Sequence, residues 1–215
     1  ILDNSENILI ATTSYSYTPR QNFDINTNKL NSTGTLLWEK KYNGTGNTND
    51  VGKVIAHDAQ GNIFVSGLSD SDSSTDIVTI KYNSVGDEIW AKRYVGIFTR
   101  KLSVSTIAID NEGNVILTGT TSPYILLLKY NSDGVLLWWH VYLRLSTSSE
   151  SVSEIRCDNN NNILVGGTSA PYTNGSIRDY LLLKYDASGN KLWSRFYNAT
   201  GTSSNNANAL EIGRA

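Results

Sequence analysis

The acidic residues offer the first candidate for chemistry. DSDSSTD, residues 70–76, places Asp70, Asp72 and Asp76 in one short segment. Oxygen ligands at alternating positions suit Ca²⁺, a hard cation bound by carboxylates and carbonyls. The segment lacks the glycine and the closing glutamate of an EF-hand loop, so a Ca²⁺ site there is the one metal expectation the sequence carries. Aromatic hydroxyls offer the second candidate. Tyr15, Tyr17, Tyr124 and Tyr172 fall in stretches rich in Ser, Asn and Pro, where ring and hydroxyl together suit recognition of a partner. No catalytic motif accompanies them. GxSxG and HExxH are absent, and GNTNDVGK (46–53) has five residues between its glycines and no Ser or Thr after its lysine.

The remaining titratable groups read as packing. The chain has two histidines and one cysteine. His57 and Cys157 share a repeat position with Leu2 and Ile109, which marks a packing position first. His140 lies between Trp138 and Tyr142 at alternate positions, so the three share one strand face. Lys40, Lys92 and Arg195 fill its place elsewhere, which suggests packing with cation–π character. A single cysteine permits no internal disulfide and no CxxC metal site.

Four repeats position these residues. Trp38, Trp90, Trp138 and Trp193 end related stretches: KLNSTGTLLW, KYNSVGDEIW, KYNSDGVLLW and KYDASGNKLW. Before each lies a second signature: SENILIATT, QGNIFVSGLS, EGNVILTGTT and NNILVGGTS. An aspartate precedes each signature's asparagine by four residues: Asp3, Asp58, Asp110 and Asp158. Each unit reads as four short strands, A to D, rich in Ile, Val, Leu, Thr and Tyr. Asn or Asp, then Ser, then Gly reverses the chain between C and D. Four strands per repeat of 40–50 residues predicts a β-propeller blade. The expected fold is an all-β propeller of four four-stranded blades in a single domain, residues 1–215. The repeats run over about 1–52, 53–104, 105–152 and 153–206, and residues 207–215 form a closing strand. Two chains pairing into eight blades, or a longer single-chain ring, are the alternatives.

The repeat resembles bacterial and archaeal propeller repeats with a D-x-x-G-N-I-x-V-x-G signature, found in secreted and surface proteins. YDASGNKLW (185–193) is also similar to the tryptophan motif of quinoprotein propellers. The resemblance implies a propeller fold and an extracellular or cell-surface location. Composition points the same way, with many Ser, Thr, Asn and Gly residues and only 18% charged. The sequons at 31–33, 43–45, 174–176 and 198–200 would accept N-glycans after export. A net charge of −2 and no Lys/Arg cluster disfavour nucleic-acid partners. No apolar run reaches the ~20 residues of a membrane span. The chain begins at Ile1 and contains no methionine, so it reads as a piece of a longer gene product.

The B–C and D–A connections vary in length and content, while the A–B and C–D turns are nearly uniform. Variation on a rigid frame is where binding usually sits. The expected function is therefore non-catalytic recognition of a protein or glycan partner, or a structural role, through the variable-loop end. Pairing with a second copy is a further expectation. A lectin propeller and part of a quinoprotein-like enzyme are the alternatives. The acid, base and vicinal cysteines expected of the latter are missing.

Overall fold

The computed structural model describes residues 1–16, 22–45, 48–71, 74–96, 102–121, 123–144, 148–171, 178–197 and 210. Every regular element among them is a β-strand, in four antiparallel sheets consistent with a propeller-like fold. The first sheet holds β1 (Ile8–Ser16), β2 (Asn22–Leu30) and β3 (Leu36–Tyr42). The second holds β4 (Asp50–His57), β5 (Ile63–Asp70), β6 (Thr75–Tyr82) and β7 (Glu88–Tyr94). The third holds β8 (Leu102–Ile109), β9 (Val115–Thr121), β10 (Tyr124–Tyr130) and β11 (Leu136–Tyr142). The fourth holds β12 (Ser148–Cys157), β13 (Ile163–Pro171), β14 (Asp179–Tyr185) and β15 (Lys191–Tyr197). Strands neighbour one another in chain order within each sheet, a simple meander.

The expectation of four strands in every sheet is met in three of them. The first sheet has three, and Leu2 makes a single bridge to Ile8 where its fourth strand would end. The segment expected to supply that strand, 207–215, lies outside the described residues apart from Leu210. Leu210 sits on the fourth sheet: a Cβ on Gly166 would be 3.6 Å from its Cβ, and Arg156 Nε donates to its carbonyl at 3.3 Å.

The chain divides into two compact units, Ile1–Val104 and Ser105–Ala215, and the boundary falls inside β8. Each unit has its own apolar core. Leu9, Ile25, Ile63, Val65, Val78, Ile80 and Tyr82 fill the first. Ile116, Ile125, Leu127, Ile155, Ile163, Val165, Leu181 and Leu183 fill the second. The inner strands β6 and β10 are buried at every position after the first, so both of their faces are covered, whereas β3 and β15 keep exposed positions along their length.

Candidate functional site

The A–B turns are built on the repeated aspartate. Asp110 Oδ1 accepts the amides of Glu112 (3.0 Å) and Asn114 (2.9 Å), and its Oδ2 accepts Asn114 Nδ2 (2.9 Å). Asp3 and Asp158 repeat this pattern with Asn7 and Asn162. Strand C then adds a lysine: Lys29–Asp3 at 2.9 Å, Lys129–Asp110 at 2.9 Å and Lys184–Asp158 at 3.0 Å. Burial alone would raise the Asp3 carboxyl, but bonds from Lys29, Asn7 and Ser5 outweigh it and hold it far below the usual carboxylate range. Asp158 is lowered in the same way, against its burial, by Asn162 and Lys184.

The repeated tryptophan reaches out of its own sheet. Trp38 Nε1 and Lys29 Nζ both donate to the Ser84 carbonyl in the second sheet's C–D turn, at 3.3 and 3.2 Å. Trp138 and Lys129 do the same to the Ala187 carbonyl in the fourth sheet, at 3.4 and 3.1 Å. Gly86 and Gly189 close those turns at φ of 91° and 89°, a region open to glycine. They also need to be bare. A Cβ on either would lie 2.9 Å from the indole it covers.

Each unit carries a buried polar layer at its own variable-loop end. In the first, Asp50, Ser69 and Asp76 stand side by side on β4, β5 and β6. Arg93 of β7 binds Asp76 Oδ2 at 2.9 Å, Ser69 Oγ at 3.0 Å and the Ser69 carbonyl at 3.1 Å. Asp50 Oδ2 accepts the Gly44 amide at 2.7 Å, and its Oδ1 is buried with no hydrogen-bond partner among the described residues. Burial raises the Asp50 carboxyl, and Asp24 adds to the rise. In the second unit Glu150, Ser169 and Asp179 take the same three places. Here the guanidinium pairing with Asp179 comes from Arg144, and it stacks 3.9 Å from the Phe196 ring centroid. Glu150 Oε1 accepts Ser148 Oγ at 2.7 Å and Ser169 Oγ at 3.2 Å.

The expected site residues separate in this frame. Tyr15 is 40% exposed and meets Phe23, 42% exposed, edge-on at 5.1 Å between centroids. Tyr124 is half-buried and opposes Thr121, the register place that Asp24, Asp76 and Asp179 hold in the other sheets. Tyr17 and Tyr172 lie outside the described residues. Asp70 Oδ1 accepts Thr75 Oγ1 at 2.6 Å, Asp76 faces Arg93, and Asp72 lies outside the described residues. No cluster of three or more His, Cys, Asp or Glu side chains suited to a metal occurs among the described residues. Burial pushes the Cys157 thiol up to about 12, which leaves it an inert packing group. His140 packs on Trp138 at 5.0 Å and stacks with Tyr185 at 6.1 Å. Arg195 lies 5.7 Å from the Trp193 ring.

Sequence reasoning did not single out Arg93, Arg144 or Phe196. Aligning the repeats at Tyr42 and Tyr142 would have exposed the signal, because Gly44 then stands against Arg144.

No protein-family model matches the chain, and no curated protein does. Among solved structures, a protein of unknown function from Bacteroides caccae overlaps at a TM-score of 0.49 and 16% identity, over 90% of this chain and 59% of that one. A eukaryotic initiation factor overlaps at 0.48 and 9% identity, over 92% and 54%. A quinoprotein alcohol dehydrogenase-like protein from Bacteroides thetaiotaomicron overlaps at 0.46 and 13% identity, over 92% and 45%. The chain thus spans little more than half the length of the first two and less than half of the third. The fold assignment rests on the four sheets and on the links between sheets within each unit.

Proposed function

We propose that the four sheets are propeller blades of a secreted or cell-surface protein that recognises a protein or glycan partner through its variable-loop end, without catalysis. The observation that carries this reading is the exposed Tyr15–Phe23 pair at the base of the first B–C connection. Exposed aromatics on a rigid sheet give large contact area at low entropic cost, which suits recognition. The charged groups at the loop end of each unit support it from the other side. Asp76 and Asp179 face Arg93 and Arg144, so these acids serve the frame and are not poised for acid–base work.

The test is an array of glycans and immobilised extracellular proteins, probed with the wild-type chain and with Tyr15→Ala/Phe23→Ala. Binding to one class that falls at least ~10-fold in the double variant supports the proposal. Glycan binding of that kind selects the lectin form of it. Wild-type binding to neither array, or binding unchanged in the double variant, removes it.

A further inference from the structure

Each sheet ends on an outer strand. β3, β7, β11 and β15 stand last in their sheets, so each has one edge that pairs with no other strand among the described residues. Such an edge presents unpaired amides and carbonyls to any strand that fits it. All four share one guard, a β-bulge just before the tryptophan. Leu37, Ile89, Leu137 and Leu192 are the extra residues, and the regular ladder runs from the tryptophan onward. Charge is the second guard, and here β11 departs from the rest. β3 carries Glu39, Lys40 and Lys41, β7 carries Glu88, Lys92 and Arg93, and β15 carries Lys191 and Arg195. β11, LLWWHVY, has no Asp, Glu, Lys or Arg. Where the others place Glu39, Ala91 and Ser194, it places Trp139, which is 37% exposed. Leu137, two residues before it, is exposed as well.

We infer that β11 is a docking edge for a second copy of this chain, the two β11 strands pairing antiparallel over Trp138–Tyr142. Charge selects this occupant. A two-fold axis at the middle of that stretch runs each strand against its own sequence in reverse. In β11, Trp139 then meets Val141, an aromatic–β-branched pair of the kind that stabilises sheets, and Trp138 meets Tyr142. The same pairing of β3, β7 or β15 would set Lys40, Lys92 or Arg195 against itself, and like charges directly opposite destabilise a sheet. The middle place in β11 is His140, whose ring packs on Trp138 and stacks with Tyr185 in its own unit. The uncharged edge fits an uncharged strand, and every copy brings one. Pairing uses up both edges, so assembly stops at two chains. β11 lies wholly within the second unit, so the contact needs nothing of the first. It uses a strand edge and not the loop end, so this proposal and the recognition proposal can fail separately.

Sedimentation equilibrium of the wild-type chain across the micromolar range tests it. The expected result is a two-chain species that Trp139→Glu weakens by ~10-fold or more. The first sheet folds with Glu39 at the same register place, so the strand tolerates that side chain. Trp139→Lys should weaken the pair as much, and an equimolar mixture of the two variants should associate more tightly than either alone. Hydrogen exchange gives a reading that needs no substitution. Amides of β11, and not those of β3, β7 or β15, should exchange more slowly as the wild-type concentration rises. A chain that stays monomeric throughout, a dimer indifferent to Trp139→Glu, a mixture no tighter than its parts, exchange in β11 that ignores concentration, or assembly beyond two chains overturns the proposal.

Discussion

The two compact units solve one electrostatic problem from opposite sides. Both bury an acid, a serine and a second acid in a row at the loop end, and both need one guanidinium there. The first unit brings it from the last strand of its second sheet, as Arg93, and leaves position 44 as glycine. The second brings it from the connection before its second sheet, as Arg144, and floors it with Phe196 at the place of Arg93. Space explains the exchange. A Cβ on Gly44 would lie 2.6 Å from Ser69 Oγ, 2.9 Å from Asp50 Oδ1 and 3.3 Å from Arg93 Nη1. Either position can supply the cation, but the layer holds one. The A–B turns, by contrast, keep the same aspartate, asparagine and lysine in both units. What differs is where the loops enter, and what stays constant is what joins sheet to sheet.

Installing a second guanidinium should break the comparison most severely. Gly44→Arg is expected to cost about 4 kcal/mol, from overpacking and like-charge burial. Adding Arg93→Phe rebuilds the second unit's arrangement in the first, and should return about half of that loss as a positive coupling. Urea unfolding of the two single variants and the double measures it. Additive losses would mean that the two layers only look alike.

Removing the cation comes next. Arg93→Ala and Arg144→Ala each strand a buried carboxylate, Asp76 or Asp179, at an expected cost of about 3 kcal/mol. Arg93→Ala should cost the more, because Ser69 loses its bonds as well. An equal loss in both would show that Ser69 contributes nothing, and the midpoint of chemical denaturation decides it.

The constant part should respond alike in both units. Lys29→Met and Lys129→Met each remove a lysine with little exposure from an aspartate that retains its amide bonds. Each is expected to cost about 2 kcal/mol, and the two should agree within about 0.5 kcal/mol. A larger gap in urea unfolding would show that the two aspartate–lysine pairs are not equivalent.

Repetition is what made the frame legible. Asp precedes its Asn by four residues, and Lys its Trp by nine, in all four repeats, and a residue type kept four times announces a structural duty. The tryptophan's target was not legible, because the carbonyls of Ser84 and Ala187 belong to neighbouring sheets and strand patterns do not say which sheets meet. The polar layer was hidden for a different reason. Its guanidinium comes from unlike places in the repeat, so no column of an internal alignment shows a constant arginine. Tyr124 illustrates the same limit. Composition groups it with the loop tyrosines, while the register puts it in the row of Asp24, Asp76 and Asp179.

The smallest effect separates the two kinds of carboxylate by pH. Asp3 is lowered in the folded chain below its ordinary 3.8. Its charged form therefore stabilises the fold above that value, and the contribution is lost as pH falls through the folded value. Asp50 is raised above 3.8 by burial. Its charged form therefore costs stability at neutral pH, and the cost vanishes as pH falls through its folded value toward 3.8. Asp50→Asn should thus gain stability at pH 7 and nothing below its ordinary value, while Asp3→Asn should lose stability at pH 7 and approach wild type in acid. Urea unfolding between pH 3 and pH 7 (a range set by ordinary carboxylate titration) gives the two slopes opposite signs. Slopes of the same sign would mean that Asp50 finds in solution a partner for its buried Oδ1, and that the loop-end layer is as fully satisfied as the turns.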